Sequence, residues 1–414
     1  MLLTKLILVT RKNKLFNDPI YGFISIETEL ILQLINHPYF QRLRRISQMG
    51  LSSLVYPGAN HTRFEHALGS MHVMQKAIDV LILKGIKINP KEREAMQIAA
   101  LLHDIGHGPF SHATEKTLLK GINHETISLK IIRLLNKSFD GKLDLAEQIF
   151  IGNHPRKFMN ELISGQIDVD RLDYLKRDSF YTGVTEGNIN TDRIIATMNV
   201  REENLVFETK GIYSLEKFLL ARKLMYWQVY LHKTSLAAEM ILLKIIQRFQ
   251  SLIKQRKGNL NKYNMLFPFL KMNPSETIED KVLIHYLSMD DSDIIQLLKS
   301  LENHNDIVLS LLSSQLLKRN LPKIKISENA YTNEELDKMK CKLKSNEYDN
   351  SDYFVFNGSI SNQTYISDES QILILDKKNH VYPIADAITY LDFKQFSTPI
   401  IKFYLCYPKH YSSL

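Results

Sequence analysis

ALLHDIGHGPFSH, residues 100 to 112, crowds three histidines and one aspartate around the end of an apolar helix. Lys91 to His103 carries that helix, and Gly106 and Pro109 stop it by supplying a C-terminal glycine and a breaker. His103 and Asp104 are neighbours in sequence, which on a helix sets them about 100° apart. In a last turn followed by a sharp bend at Gly106, they can still share one metal ion or bridge two. Upstream, RFEH ends in His66 at the start of a second helix, whose buried stripe is Ala67, Met71, Met74, Ile78 and Leu81. Downstream, Asp170 sits in the helical run IDVDRLDY. Two imidazoles and two carboxylates form a nitrogen and oxygen donor set suited to Mn, Fe, Zn, Co or Mg, with no thiolate. A His-Asp pair alone is ordinary, and a lone buried histidine is more often core. The order His66, His103-Asp104, Asp170, each on a helical segment, is what points to metal chemistry. His72 falls on another face of its helix and reads as structural or surface.

The rest of the composition narrows the setting. With 44% hydrophobic and 24% charged residues in a chain of 414, this is an ordinary globular protein. No stretch reaches the ~18 consecutive apolar residues of a membrane span. Disordered, collagenous and membrane-spanning classes are excluded, and no membrane partner is expected. Cys341 and Cys406 lie far from the histidine-rich segments, so neither a disulfide framework nor a cysteine zinc site is expected, and the cytoplasm is the natural location. Met1 to Thr10 reads as a first strand rather than a signal peptide, because Lys5 interrupts the apolar run and no small-residue cleavage site follows. The net charge of +8 favours polyanions without distinguishing nucleotide, nucleic acid or lipid surface.

Helical periodicity continues through Glu125 to Asn136, Asp168 to Arg177, Leu215 to Gln250 and Asp290 to Leu317. Asn199 to Tyr213 interrupts it as a β-hairpin. After about Lys318 the character changes: KIKIS, DYFVF, QILILD and IIKFYLCY are short β-rich runs, with a helical piece near Thr332 to Lys344 and a polar loop over Ser345 to Ser370. The expected fold is mainly α: a helical core over residues 1–320 with a β-hairpin insertion, then a smaller α+β domain over 321–414 with an oligomerisation or regulatory role.

Five strings in order, FNDPIYGFI (16–24), FQRLRRISQMG (40–50), YPGANHTRFEHALG (56–69), HDIGHGPFSH (103–112) and IDVDRLDYLKRD (167–178), resemble the HD-domain phosphohydrolase superfamily. Within it they are most similar to the deoxynucleoside triphosphate triphosphohydrolases, the family of the vertebrate SAM-and-HD-domain dNTPase and bacterial dGTPase-like enzymes. The likeness runs from about Lys14 to Lys233, and the residues ahead of it are too few for a SAM domain.

By position, the resemblance makes His66, His103, Asp104 and Asp170 the ligands of a divalent metal ion. It implies attack by a metal-activated water on the α-phosphate of a dNTP, with release of tripolyphosphate. His112 is then the proton donor to the leaving 5′-oxygen, oriented by Glu115, which stands where the family usually has Asp. His107 and His124 match further active-site histidines. For phosphate the resemblance offers Arg63, Arg171 in place of a Lys, and Arg222, which also begins an i, i+4, i+8 stripe with Tyr226 and Tyr230. For the deoxyribose it offers Met49, Tyr174 and Tyr230 as a wall, with Gln48 and Asp178 on the 3′-hydroxyl. Asp170, Tyr174 and Asp178 repeat along one helix face.

The resemblance also implies a homodimer or homotetramer. Lys14, Asn36, Gln41 and Arg44 match positions that bind an activating nucleotide. Asn36 replaces an Asp that reads guanine, and its different donor and acceptor pattern argues against GTP in that role. Two other readings stand beside the leading one. One is an HD phosphohydrolase acting on a phosphomonoester, cyclic nucleotide or alarmone. The other is a nucleic-acid-binding HD protein with little hydrolytic activity, using the basic surface.

Overall fold

The computed structural model describes residues 14–111, 114, 117, 122–255, 269, 278–344, 350–365, 371–387 and 393–409. The strand expected at Met1 to Thr10 lies outside them, as do the side chains of His112 and Glu115.

Strands β1 (Lys14–Asp18) and β2 (Gly22–Ile26) pair antiparallel, from Lys14 opposite Ile26 to Asp18 opposite Gly22. The FNDPIYG string makes this turn, because the Asp18 carboxylate accepts the N–H groups of Ile20 and Tyr21 at 2.8 and 2.9 Å. Helix α1 (Glu29–Asn36) follows, capped by Thr28. Helix α2 (Arg63–Leu83) starts with a capping box between Thr62 and Glu65 and is buried along most of its length, which marks it as the central helix of the core. Helix α3 (Pro90–Leu102) is capped by Asn89 and Glu92 with Pro90 in its first turn. Every residue from 95 to 111 is buried, so the bend after α3 lies inside the protein.

Helices α4 (His124–Ser138) and α5 (Val169–Thr182) complete the central layer, with α2 packed between α3 and α5. α5 is capped by Asp168 and ends at Gly183, whose φ of +72° closes the helix in the left-handed region. Then come β3 (Met198–Arg201), β4 (Asn204–Glu208), α6 (Ile212–Met225) and α7 (Lys233–Lys254). α8 (Asp291–Leu301) and α9 (Ile307–Leu317) follow, then β5 (Lys323–Ser327), α10 (Asn333–Lys344), β6 (Phe356–Asn362), β7 (Leu373–Leu375), β8 (Val381–Pro383) and β9 (Ile400–Tyr407). The mainly α fold agrees with the sequence reading, and β3 and β4 form the expected hairpin. β4 also pairs parallel with β7, which pairs with β8, so strands on either side of residue 320 share one sheet. The other C-terminal strands form a sheet in the order β5-β9-β6, packed on α7.

Several expectations are corrected. Leu215 to Gln250 is not one helix: α6 ends at Met225, Tyr226–Tyr230 is a π-helical turn, and His232 caps α7. The π-turn is closed by the Leu231 N–H donating to the Tyr226 carbonyl at 2.8 Å. The spacing is no longer that of one α-helix, yet Arg222, Tyr226 and Tyr230 remain neighbours: Arg222 lies 6.0 Å from the Tyr226 ring and the Tyr226 and Tyr230 ring centres are 5.1 Å apart. Asp290 to Leu317 is likewise two helices, because the chain leaves α8 at Leu301 and restarts where Asp306 caps α9. In DYFVF, Ser351–Tyr353 is a 3-10 turn and the strand begins only at Phe356. Ser345 to Ser370 therefore contains β6 rather than one long loop; its segments 345–349 and 366–370 lie outside the described residues.

Candidate active site

The predicted metal ligands meet where the start of α2, the end of α3 and the start of α5 converge. His66 Nε2 lies 3.4 Å from His103 Nε2 and 3.1 Å from Asp170 Oδ1, and His103 Nε2 lies 3.4 Å from the same oxygen. Asp104 stands beside them, 3.5 Å from His103 and 3.7 Å from His66. With metal–ligand bonds of about 2.0–2.2 Å, neighbouring donors on one ion stand about 3–3.5 Å apart. These spacings fit a shared ion. His66, His103 and Asp170 form one group able to hold a cation, and Asp104, His107 and His124 form a second beside it.

The far side of each imidazole is fixed, which turns its Nε2 inward. His103 Nδ1 lies 2.7 Å from the Ala100 carbonyl, and His66 Nδ1 lies 2.8 Å from Asp173 Oδ2. Asp173 is held in turn by Arg177 through two contacts of 2.9 Å, and Arg177 reaches Asp18 at 2.7 Å. The turn made by FNDPIYG thus ends on the ligand shell. Gly69 belongs to the same device: a Cβ there would lie 2.0 Å from the Asp173 carboxylate, so no side chain fits. Gly106 is equally constrained, its Cβ direction meeting the α4 backbone at 2.3 Å.

Burial disfavours a charged His66, yet Asp170 and Asp173 outweigh it and push its pKa up to about 10. Burial likewise opposes ionisation of Asp170, but His103 and His66 hold its carboxyl far below the usual range. This point demands positive charge, which a divalent ion can supply in place of a proton.

The bend carrying His103 to Phe110 is fastened from outside. Arg42, fully buried, donates to the carbonyls of Ile105 and His107 at 3.0 and 2.8 Å and to Met289 at 3.1 Å. Asp291 accepts the N–H groups of Ser47 and Phe110 at 2.8 and 2.9 Å, and Phe110 has a φ of +44°. Tyr286 donates to the Gly106 carbonyl at 3.1 Å. Arg42 had a signal in the string FQRLRRISQMG, whereas Tyr286 and Asp291 lie beyond the part of the chain that carried the resemblance.

The predicted substrate residues surround this centre with unequal freedom. Arg63 donates to Asp104 and, at 3.1 Å, to Ser111. Arg171 is turned onto Asp168 and the Gly165 carbonyl. Arg222 is buried, and its Nε and Nη1 have no hydrogen-bond partner among the described residues. It lies 6.0 Å from the Tyr226 ring and near enough to Asp168 and Tyr174 to act on their ionisation.

The Tyr174 and Tyr230 rings meet edge to face at 5.9 Å. Asp178 Oδ2 accepts from Tyr230 at 2.8 Å, and Oδ1 lies 2.7 Å from His61 Nε2, a partner that the sequence reading missed although it sits in YPGANHTRFEH. Met49 is buried, and Gln48 is tied through its N–H to the His61 carbonyl at 3.0 Å with its Oε1 unpartnered among the described residues.

His107 stacks on His124 with ring centres 4.0 Å apart and lies 3.3 Å from Asp104. His112 and Glu115, the expected proton donor and its support, lie outside the described side chains. Among the residues expected to bind an activating nucleotide, Lys14 and Asn36 are exposed, and Arg44 donates to Gln41 at 2.9 Å while lying over the Phe64 ring. No helix among the described residues is long and apolar enough to cross a membrane.

Residues 63–178 match the HD domain and residues 189–265 match the HD associated region. A phosphohydrolase from Bacteroides thetaiotaomicron has a similar solved structure, with a TM-score of 0.90 and 43% identity, over 96% of this chain and 100% of that one. An uncharacterized protein of Bacillus subtilis is 35% identical over 317 residues, 75% of this chain and 71% of its own length. The deoxynucleoside triphosphate triphosphohydrolase SAMHD1 homolog of Dictyostelium discoideum is 31% identical over 251 residues, 56% of this chain and 48% of its own. With histidines and aspartates placed so that they could hold a cation, the chain belongs to the HD-domain phosphohydrolase superfamily, in the group that carries the HD associated region.

Proposed function

We propose that this protein is a metal-dependent deoxynucleoside triphosphate triphosphohydrolase, converting a dNTP and water into a deoxynucleoside and tripolyphosphate. The observation that carries this reading is Arg222, a buried guanidinium with two nitrogens unpartnered among the described residues that is near enough to Asp168 and Tyr174, on either side of Asp170 in sequence, to act on their ionisation. Open, desolvated donors of this kind call for an anion with several oxygens. His66, His103, Asp104 and Asp170 hold a divalent cation, which when bound supplies a Lewis acid and a water of lowered pKa.

Arg63 keeps Asp104 in place, and Arg222 takes the phosphate chain. Tyr174 and Tyr230 pack on the sugar, while Asp178 and Gln48 receive its 3′-hydroxyl. His112, backed by Glu115, protonates the leaving 5′-oxygen, and His107 and His124 line the phosphate side. A deoxyribose fits because a wall of aromatic rings leaves a 2′-hydroxyl without a partner.

The test is incubation of the protein, loaded in turn with Mn, Mg, Fe or Co, with each dNTP and with added nucleotides as activators. Tripolyphosphate and deoxynucleoside in equal amounts are expected. Their absence under every combination overturns the reading.

A second reading is favoured by the pairing of Arg63 with Asp104 and of Arg171 with Asp168, which leaves one buried nitrogen, Nε, unpartnered on each while Arg222 has two, among the described residues. A substrate with fewer charges, such as a phosphomonoester or cyclic nucleotide, needs fewer cations. Phosphate release from those compounds without dNTP turnover selects this alternative.

A further inference from the structure

The π-turn at Tyr226–Tyr230 is costly in isolation, since its i→i+5 bond leaves the helix wider and less well packed than an α-turn. Annealing it into α-helix would move Tyr226 and Tyr230 relative to Arg222, so something must hold the extra residue in place. Two anchors face the central layer: Tyr56 donates to the Gln228 carbonyl at 2.5 Å, and Tyr230 donates to Asp178 at 2.8 Å.

A third anchor comes from the far end of the chain. Lys402, on β9, places its Nζ 4.4 Å from the ring centre of Trp227, the only tryptophan in the sequence. Around that contact, Leu236, Phe356, Ile360, Tyr404 and Cys406 form a small core of their own, against which Trp227, Leu231 and Met240 pack. The Tyr404 hydroxyl lies 3.2 Å from the Met240 sulfur. Trp227 and Leu231 are thus gripped by the C-terminal sheet, while Tyr226 and Tyr230, interleaved with them, belong to the site.

We propose that the β5-β9-β6 sheet is a positioning element for the substrate wall: by seating Trp227 beneath Lys402 it keeps the π-turn in register and thereby sets Tyr226 and Tyr230. Trp227 and Lys402 are positioning residues. The claim rests on the reading of that turn as part of the substrate wall, and it gives residues 321–414 a direct part in binding.

The experiment uses the full-length protein in wild-type form and as Lys402→Ala, Lys402→Arg, Trp227→Ala and Trp227→Phe. Amide exchange at Leu231 reports the π-turn bond. A cation over an aromatic face accounts for an about three- to tenfold change in local opening. Lys402→Ala should therefore speed exchange at Leu231 by that factor, and raise KM for dATP similarly, with kcat and bound metal within twofold of wild type. Trp227→Phe and Lys402→Arg, which keep a ring and a cation, should restore both values, and Trp227→Ala should exceed Lys402→Ala.

Unchanged exchange at Leu231 and unchanged KM in Lys402→Ala overturn the proposal. So does a fall in kcat and metal content with KM constant, which would give the sheet a purely stabilising role. If the wild type hydrolyses no dNTP, the proposed function fails, and exchange at Leu231 in Lys402→Ala still decides whether the sheet holds the turn.

Discussion

The candidate cation end of the site and its proposed substrate wall are built differently. His66, His103 and Asp170 sit on regular, capped helices, and the outer nitrogen of each imidazole is already spoken for. Behind them the chain His66–Asp173–Arg177–Asp18 is fully satisfied and almost fully buried. Tyr230 of the proposed wall, with Tyr226 beside it, lies on an irregular turn, and the neighbouring Arg222 keeps unpartnered donors among the described residues. Fixed ligands suit an ion whose geometry tolerates little error, while open donors suit a charged ligand that must arrive and leave. The contrast is chiefly one of backbone regularity, capped helices at the cation end and an irregular turn at the proposed wall, since open guanidinium nitrogens occur on Arg63 and Arg171 as well as on Arg222.

The largest effect should come from the rigid side. Asp170→Asn or His103→Ala should abolish hydrolysis and remove the metal, seen as a loss of bound ion by elemental analysis. Next, Asp173→Asn removes the carboxylate that supports His66 and pairs with Arg177, so metal affinity should fall about 10- to 100-fold. An unchanged affinity would show that the buried relay is packing alone.

On the open side, Arg222→Gln should lower kcat/KM by about 10- to 100-fold, the range expected for one charged hydrogen bond of about 1.5–3 kcal/mol, with metal content intact. Metal loss in this variant would erase the distinction between the two ends. Tyr230→Phe should cost roughly tenfold in KM, the lower end of the range for a hydrogen bond to a charged group such as the Asp178 carboxylate, about 1.5 kcal/mol.

The smallest effect lies away from both ends. Hydrogen bonding to Arg93 lowers the Glu27 pKa from its ordinary 4.5. A depressed carboxyl contributes stability that is complete above its unfolded pKa and is lost as pH falls through the folded value. Glu27→Gln should thus destabilise the protein at pH 7 by about 1 kcal/mol or less, and urea titrations should show that difference shrinking below pH 4.5.

The convergence of His66, His103 and Asp170 is legible in the sequence because helical phase and a glycine-stopped helix end are local properties, and HDIGHG carries both. Asp173 and Arg177 are equally local, an i, i+4 pair in IDVDRLDYLKRD, but in sequence they read as an ordinary helical ion pair beside the face of Asp170, Tyr174 and Asp178. The π-turn left no trace, because YWQVY has the composition of any helix and only tertiary anchors reveal the extra residue. Asp291 could not be found from spacing, being 181 residues from Phe110 and 244 from Ser47. β6 reads as loop in the sequence because FNGSISN has low β-propensity, and its partner β9 supplies the register that the residues lack.

The parallel pairing of β4 with β7 bears on how the protein can be cut. A fragment ending near residue 320 would keep every predicted metal ligand, yet it would bare the β4 edge from Val206 to Glu208 that β7 covers. Exposed edges recruit one another. Such a shortened protein should therefore self-associate or precipitate, and an expression boundary chosen from the catalytic motifs alone would discard the strand that keeps the enzyme dispersed.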